Sequence, residues 1–243
     1  MNTDEASGMV LIPAYHEAGR IGRVVTAVRA CFPGPVVVID DGSGDATAEE
    51  AEQAGAVVLR HAVNQGKGAA LVTGFEHARR EGAAFVITMD ADGQHAAADL
   101  PGFLERFQAG DTDVIVGNRM ADPAGMPLVR RLTNRFMSAL LSRQMGQSVP
   151  DTQNGFRLYR TTVLPAPSPD ESGGFAAESE ILLRLAARGV RIAAVPVRVI
   201  YGDERSKIRP FRDTVRFFRM LRRWKAGGEG RELSKVLRKR MRR

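Results

Sequence analysis

Cysteine and tryptophan are almost missing from this sequence, which has one of each in 243 residues. A single cysteine, Cys31, cannot form a disulfide within one chain, which excludes a disulfide-stapled domain and fits a reducing cytoplasm. Long apolar runs are missing too, since none approaches the roughly 18 residues of a membrane-spanning helix. The first residues, MNTDEASG, are acidic and polar, and we expect no signal peptide. These absences predict a protein that does not span a membrane.

Internal repeats and low-complexity tracts are also missing, and 44% of the residues are hydrophobic. A chain of this length and composition can bury one large core. Its charge is uneven, because residues 203–243 hold 16 Lys and Arg against 5 Asp and Glu, while the whole chain carries +7. The basic character therefore belongs to the C-terminal part of the chain, and the remainder is slightly acidic.

Short apolar runs alternate with helical patterns along the first half of the chain. The runs that predict strands are at residues 9–13, 36–40, 56–60, 85–90 and 113–118. Alternating strands and helices indicate an α/β fold with a mainly parallel, Rossmann-like central sheet. In such sheets ligands bind beyond the carboxyl ends of the strands. We therefore expect the functional residues to follow these runs.

Polar clusters follow four of the predicted strands. They are Tyr15 and Glu17, residues 40–43, residues 64–68, and the pair Asp90 and Asp92. Two carboxylates one residue apart after an apolar strand suit Mg²⁺ or Mn²⁺, which prefer oxygen ligands and often share them with substrate phosphates. Alternatively, the two aspartates only open a solvated turn between the strand and the next helix, and one of them caps that helix.

The motifs in their order resemble the family 2 glycosyltransferases with the fold known as GT-A, and more closely their dolichol-phosphate mannose synthase branch. The resemblance runs from about Met9 to Lys207. It rests on PAYHE (13–17), DDGSGDAT (40–47), NQGKGAAL (64–71), MDADGQH (89–95), GNR (117–119), DTQNGFRLYR (151–160) and RSK (205–207). One departure is His16, where the family usually has Asn. Since Tyr15 and Glu17 are intact, we expect this change to tune the site rather than remove it.

The resemblance implies a nucleotide-sugar site with a divalent metal. Asp41 would accept hydrogen bonds from the base or ribose. The alternative is an Asx-turn at residues 40–42, a role that suits Asp40 better than Asp41. Asp92 and Gln94 would bind the metal, with Asp90 as a further ligand or as the residue that holds the sugar. The other residues assigned to the donor are Pro13, Tyr15, Glu17, Ile39, Lys67, Ala91, Arg119, Arg205 and Lys207.

The acceptor side of the site depends on the acceptor's chemistry. A hydroxyl acceptor needs a general base, for which Asp151 is the candidate, whereas a phosphate is already anionic. Asp151 could instead be a structural cap or the salt-bridge partner of Arg157. We assign Asp151 and Gln153 to the acceptor side, and Arg119 and Lys207 to neutralising phosphate charge. Two further acids, Glu178 and Glu180, open an apolar helical stretch and are at least as consistent with N-terminal capping as with catalysis.

Two amphipathic segments indicate a membrane surface. In residues 126–146, Leu128, Leu132, Phe136 and Leu140 recur every fourth residue, and we assign Arg131, Arg135 and Ser138 to the lipid phosphate. These could also be ordinary surface residues. The second segment, 211–225, places four arginines on one arc and five apolar residues on another, namely Phe211, Val215, Phe218, Leu221 and Trp224. It predicts either an interfacial anchor or a helix packed on the domain.

The expected protein is a metal-dependent inverting enzyme that moves a hexose from a GDP- or UDP-linked donor to a dolichyl or undecaprenyl type of polyprenyl phosphate. We expect a catalytic domain at 1–208 and a basic tail at 209–243, which binds an anionic membrane at its cytoplasmic face. A membrane-spanning partner protein is a further candidate partner. The alternatives are transfer to a saccharide or glycerolipid hydroxyl, or a non-catalytic nucleotide- or nucleic-acid-binding module. The absence of RNA-stacking motifs and of a zinc cluster makes nucleic acid an unexpected partner.

Overall fold

The structure, a computed structural model, describes residues 8–123, 125–164, 175–200 and 210–228. Its strands and helices alternate along most of the chain. They are β1 (Gly8–Ala14), α1 (Ile21–Cys31), β2 (Val36–Asp40), α2 (Thr47–Gln53), β3 (Val57–Arg60), α3 (Lys67–Arg80), β4 (Phe85–Thr88), α4 (Leu100–Gln108), β5 (Val114–Asn118), α5 (Leu128–Met145), β6 (Arg157–Arg160), α6 (Phe175–Ala187), β7 (Ile192–Pro196) and α7 (Pro210–Ala226).

The strands form one seven-stranded sheet in the order β3-β2-β1-β4-β6-β5-β7. All neighbouring strands pair in parallel except β6, which is antiparallel to both β4 and β5. The mainly parallel α/β sheet and the five predicted strands are confirmed. Because β6 runs the other way, the residues before it, not after it, lie at the edge where β4 and β5 end.

Helices cover both faces of the sheet, as the strand sequences require. Along β1, Val10 and Ile12 face the core beneath α1 and α4, whereas Met9 and Leu11 face the core beneath α3, α5, α6 and α7. Side chains alternate between the two faces of a strand, so a continuous apolar run predicts a sheet buried on both sides. The carboxyl-end edge of the sheet is thereby left as the open surface for polar residues.

Helix α7 packs on the domain with a different face from the one predicted. The buried side chains are Phe217, Met220, Leu221 and Trp224, while Val215 and Phe218 are exposed. The predicted arc is therefore correct for Leu221 and Trp224 and wrong for Val215 and Phe218, because packing against α6 selects the adjacent Phe217. The side chain of Phe211 lies outside the described residues. The boundary at 208 and the anchoring role of the tail stay predictions.

Within the described ranges, every helix falls short of the length and apolar content that a membrane crossing requires.

Candidate active site

An open cleft of about 240 Å³ lies at the carboxyl ends of β1, β2 and β4, beside the start of α3. Eight of the residues predicted for the donor line it together: Pro13, Tyr15, Glu17, Asp41, Lys67, Asp90, Ala91 and Asp92. The side chain of Ile39 does not, because strand alternation turns it into the core beside Leu11, where it is fully buried. Arg205 and Lys207 lie outside the described residues.

The Asp41 carboxylate holds the loop before α3 in place. It accepts hydrogen bonds from the backbone N–H groups of Gln65 at 2.9 Å and Gly66 at 2.7 Å. His61 Nδ1 lies 2.7 Å from the same carboxylate, and its Nε2 lies 2.9 Å from the Thr73 hydroxyl. Three protein groups thus contact the Asp41 carboxylate, and its remaining lone pairs can accept hydrogen bonds from a nucleotide. Its role toward a base or ribose stays a prediction.

The turn after β2 is formed by the neighbouring aspartate. Asp40 accepts a hydrogen bond from Ser43 N at 3.2 Å, as expected for a turn-forming aspartate. Opposite this turn, His16 has a left-handed backbone with φ of 54°, and its N–H donates to Ser43 Oγ at 3.0 Å. Asn and His are both among the residue types enriched in this conformation. The histidine therefore meets the same backbone requirement as the asparagine that the family usually has.

A lysine lies between two carboxylates on the floor of the cleft. Lys67 Nζ donates to Asp90 Oδ1 at 2.5 Å and also contacts Glu178 Oε1. Burial alone would lower the pKa of Lys67, but the charges of Asp90 and Glu178 raise it above its ordinary value. Burial alone would likewise raise the pKa of Asp90, but the charge of Lys67 holds it well below its ordinary range. Lys67 and Asp90 are therefore both charged at neutral pH.

The paired charges of Lys67 and Asp90 predict a pH-dependent stability. The pKa of Asp90 is lower in the folded protein than in the unfolded chain, where it is about 3.9, so ionised Asp90 stabilises the fold at pH values above 3.9. This stabilisation is lost as the pH falls through the pKa of Asp90 in the folded protein. The pKa of Lys67 is higher in the folded protein than in the unfolded chain, where it is about 10.4, so charged Lys67 stabilises the fold at pH values below 10.4. This stabilisation is lost as the pH rises through the pKa of Lys67 in the folded protein. At pH 7 both contributions are present, so Lys67→Met should lower the free energy of unfolding by roughly 1 to 3 kcal/mol.

Urea unfolding at pH 7 and pH 3 measures this effect. The difference between wild type and Lys67→Met should narrow at pH 3, because below about pH 3.9 the unfolded chain is protonated at this aspartate while the folded wild type, with Lys67 beside Asp90, is not. The exposed Lys225 gives the control Lys225→Met, which should leave stability nearly unchanged at both pH values. An equal difference at pH 7 and pH 3 would contradict the assignment of the stabilisation to ion pairs.

The loop after β4 presents the proposed metal ligands. Asp92 accepts a hydrogen bond from Gln94 N at 2.9 Å and lies between the cleft and a second recess of about 330 Å³ that Gln94 also lines. Burial and then the charge of Asp90 raise the pKa of Asp92, which shows that the two carboxylates repel each other. His95 Nδ1 accepts the N–H of Asp90 at 3.1 Å, and burial lowers the pKa of His95, so its ring is neutral.

These residues fit a magnesium or manganese ion whose shell is completed by waters and phosphates. The donor set is hard oxygen, and a cation would relieve the repulsion between Asp90 and Asp92. Among the residues that the structure describes, no group of three or more His, Cys, Asp and Glu side chains could hold a metal by itself.

The residues before β6 form a second charged centre. Asp151 is fully buried, and its two oxygens accept hydrogen bonds from Arg119 Nε at 2.7 Å and Arg119 Nη2 at 2.9 Å. Arg157 is not its partner, because that guanidinium donates instead to the carbonyls of Thr152, Asn154 and Glu178. The predicted alternative, that Asp151 forms an ion pair, is therefore correct, but its partner is Arg119 and not Arg157.

A cavity of about 580 Å³ opens beside this centre along α5. Arg135 and Ser138 line it, and Asn118 and Pro150, which also line it, precede Arg119 and Asp151 in the chain. Ser138 is buried, and its Oγ accepts the N–H of Thr152 at 2.9 Å. Two residues assigned to the acceptor do not line this cavity: Arg131 lies one turn before Arg135, and Gln153 Nε2 donates to Ser179 Oγ at 3.3 Å.

Sequence reasoning missed several residues of the site. His61 and His95 contact the two key aspartates, but a single histidine after a strand gives no signal of its own. Glu178 was considered mainly as a helix cap, and its contact with Lys67 depends on the packing of α6 beside α3. The buried Arg157 was noticed only as a possible partner of Asp151. The contacts of His61 with Asp41 and of Glu178 with Lys67 join residues that are 20 or more positions apart in the chain, whereas His95 is only five residues after Asp90.

A mainly parallel sheet with a carboxylate pair, a lysine and an open cleft at its carboxyl-end edge is the arrangement of α/β proteins that bind ligands beyond the carboxyl ends of their strands. The family model described as "Glycosyl transferase family 2" matches residues 9–165. The chain belongs to glycosyl transferase family 2 and is a glycosyltransferase.

Named relatives and solved structures agree with this assignment. A dolichyl-phosphate hexose transferase of Haloferax volcanii is 34% identical, covering 83% of this chain and 86% of that protein. An undecaprenyl-phosphate mannosyltransferase of Micrococcus luteus is 29% identical, covering 79% and 83%. The fold matches glucosyl-3-phosphoglycerate synthase of Mycobacterium tuberculosis, solved with Mn²⁺, UDP-glucose and phosphoglyceric acid, with a TM-score of 0.65 and 20% identity over 89% of this chain and 78% of that one. The predicted GT-A fold is confirmed.

Proposed function

We propose that this chain transfers a hexose from a nucleotide sugar to a polyprenyl phosphate and releases a nucleoside diphosphate. The names of the two relatives, a dolichyl-phosphate and an undecaprenyl-phosphate transferase, support this acceptor class. The structural observation that carries the proposal is a donor cleft together with a second cavity lined by α5. The same helix exposes Leu128, Leu132 and Phe136 to the outside, as a helix that meets a lipid chain would.

The proposed reaction exchanges one phosphate ester for another at the sugar. The bond from the anomeric carbon to the donor diphosphate breaks, and an oxygen of the acceptor phosphate forms the new bond on the opposite face, which inverts the configuration. Because the acceptor phosphate is already anionic, no general base is needed. The buried pairing of Asp151 with Arg119 supports this acceptor over a hydroxyl, since both carboxylate oxygens of Asp151 already accept from the guanidinium.

We propose that Asp92 and Gln94 bind Mg²⁺ or Mn²⁺. The negative charge of the neighbouring Asp90 also attracts the ion. A bound divalent cation supplies charge neutralisation for the leaving diphosphate. Lys67 contributes a second positive charge at the start of α3, where the helix N-terminus also favours an anion. Mn²⁺ in the related fold supports a divalent metal here.

The proposed acceptor site uses α5 in two ways. Arg135 is exposed at the second cavity, where its guanidinium can bind the lipid phosphate together with Arg131, one turn earlier. The exposed apolar residues would lie against acyl chains at the surface of an anionic membrane. Attachment at the cytoplasmic face, with or without a membrane-spanning partner protein, belongs to the same proposal.

The proposed function is tested with radiolabelled GDP-mannose, UDP-glucose and UDP-N-acetylglucosamine, each incubated with the protein, Mg²⁺ or Mn²⁺, and liposomes containing a polyprenyl phosphate. The expected product is a labelled lipid that mild acid hydrolyses, because a glycosyl phosphate is acid-labile. An acid-stable labelled lipid would indicate transfer to a hydroxyl instead. The absence of labelled lipid with every donor would refute the proposed acceptor.

Membrane attachment through α5 is predicted to fail when its exposed apolar stripe carries acidic charge. Leu132 and Phe136 are 58% and 57% exposed, so changing both to glutamate should hardly affect the melting temperature. Binding to liposomes with anionic lipid should weaken at least about tenfold, since the apolar contact is lost and like charges are added. Co-sedimentation with liposomes measures this.

The control for this prediction is Val57→Glu, which adds the same charge at a residue that is 48% exposed on the edge strand β3. It should bind liposomes like the wild type. Unchanged binding of the α5 variant would show that this helix does not meet the membrane.

A further inference from the structure

The Glu178 side chain lies in a different environment from that of an ordinary helix cap. It is in the first turn of α6 and 4% exposed, and its Oε1 contacts Lys67 Nζ in the donor cleft. Behind it lies the fully buried Arg157, whose Nη2 is 3.6 Å from Glu178 Oε2 and whose Nη1 donates to the Glu178 carbonyl at 2.7 Å. Arg157 therefore holds Glu178 on one side, while on the other side the Glu178 carboxylate contacts the ammonium group of Lys67.

Glycine at position 155 leaves the space in which the charged groups meet. A Cβ added there would lie 3.0 Å from Asp90 Oδ1, and 3.1 Å from both Glu178 Oε1 and Lys67 Nζ. These distances are shorter than ordinary contacts of a carbon atom, so a side chain at Gly155 would push the three groups apart. The loop that precedes β6 is thus shaped around the contact of Lys67 with its two carboxylates.

We propose that Glu178 is a positioning residue that shares Lys67 with Asp90 and so limits how strongly the lysine holds the diphosphate. This inference rests on the proposed function, in which Lys67 neutralises charge on the donor. With Glu178 in place, the ammonium stays beside Asp90, and a negative charge lies close to the diphosphate site. An interaction that binds the diphosphate equally strongly in the donor substrate and in the nucleoside diphosphate product does not raise turnover. It also slows the release of that product.

Glu178→Gln tests the proposal because it removes the charge and keeps the size of the side chain. With Lys67 paired to one carboxylate instead of two, and with one negative charge fewer in the site, Mg²⁺ complexes of the nucleoside diphosphate should bind about tenfold tighter. Turnover should fall about tenfold, because Lys67 is no longer held by Glu178 and positions Asp90 less firmly, and because the product leaves slowly. The KM for the donor should fall or stay unchanged. A residue with a merely structural role would weaken binding and turnover together.

Calorimetry with GDP and with UDP in Mg²⁺ measures binding, and the radiolabel assay measures turnover. Glu180→Gln is the matched control, since Glu180 lies on the same helix and pairs with Arg184 at 2.7 Å outside the site. It should leave both quantities within about twofold of the wild type. Weaker or unchanged diphosphate binding by a folded Glu178→Gln protein would overturn the proposal.

Two further outcomes separate this proposal from the proposed function. If the wild type binds neither GDP nor UDP, the proposed function fails and the role of Glu178 fails with it. If Glu178→Gln does not fold, Glu178→Asp replaces it, because the shorter side chain keeps the charge but cannot hold Lys67 as closely. That variant should bind the diphosphate within about twofold of the wild type and turn over several times more slowly. Wild-type turnover by Glu178→Asp would overturn the proposal.

Discussion

Replacing Asp92 with asparagine should lower turnover by more than about 100-fold while the fold stays intact. Loss of a group that only supports a metal ligand typically costs about 10- to 100-fold in metal affinity or activity, so loss of a direct ligand should cost more. The fold should tolerate the change, because the Asp92 side chain is half-buried and its one described hydrogen bond, from Gln94 N, can be accepted by an amide oxygen. The measurement is turnover over a range of Mn²⁺ concentrations, with the melting temperature alongside.

The control for Asp92→Asn is the same change at Asp111, an exposed aspartate that pairs with Arg106. Asp111→Asn should keep wild-type turnover at every metal concentration. Part of the lost activity of Asp92→Asn should return at high Mn²⁺, because the remaining ligands still bind the ion weakly. Full activity in limiting Mn²⁺ would show that Asp92 is not a metal ligand.

Asp151→Asn should destabilise the protein by about 3 to 5 kcal/mol and reduce turnover only moderately. The carboxylate is fully buried and accepts from both Nε and Nη2 of Arg119, so Asp151→Asn removes a buried negative charge that is paired with this guanidinium. Turnover should fall because Arg119 and the loop before β6 are less well placed. Urea unfolding gives the stability, and the radiolabel assay over a range of pH gives the activity.

A half-exposed ion pair provides the comparison for Asp151. Asp113 Oδ1 lies 3.3 Å from Arg160 Nε, and Asp113→Asn should change stability by at most about 1 kcal/mol. If Asp151 were a general base, its loss would lower turnover many thousandfold and remove the limb of the pH profile that reports the base. Such a result in a folded protein would favour a hydroxyl acceptor over a phosphate.

The donor side of the site could be predicted because parallel strands obey a simple rule. Strands β1, β2 and β4 end at one edge of the sheet, so Tyr15, Asp41 and Asp92, which follow them, had to lie near one another. The apolar runs that predict these strands are long enough to be recognised without knowledge of their neighbours. The side chain of Ile39 is the exception, since it lies within a strand and alternation turns it into the core.

The acceptor side could not be predicted in the same detail. Asp151 precedes a strand, and only the antiparallel direction of β6 brings it to the edge where the other site residues lie. Its partner, Arg119, is 32 residues away, while the nearer Arg157 turns to backbone carbonyls. The buried face of α7 was misjudged for a related reason, because Phe217 and Phe218 are adjacent and only packing against α6 decides between them.

The position of β6 also predicts an order of assembly during folding. Strand β4 pairs with β1 and β6, and β5 pairs with β6 and β7, so among the described strands β6 is the link between the two parts of the sheet. Strands β1 to β4 are formed by the first 88 residues and can pair as soon as these have been synthesised. The other part must wait until residues 157–160 insert between β4 and β5. We therefore expect strands β1 to β4 to gain protection from hydrogen exchange before strands β5 to β7 do.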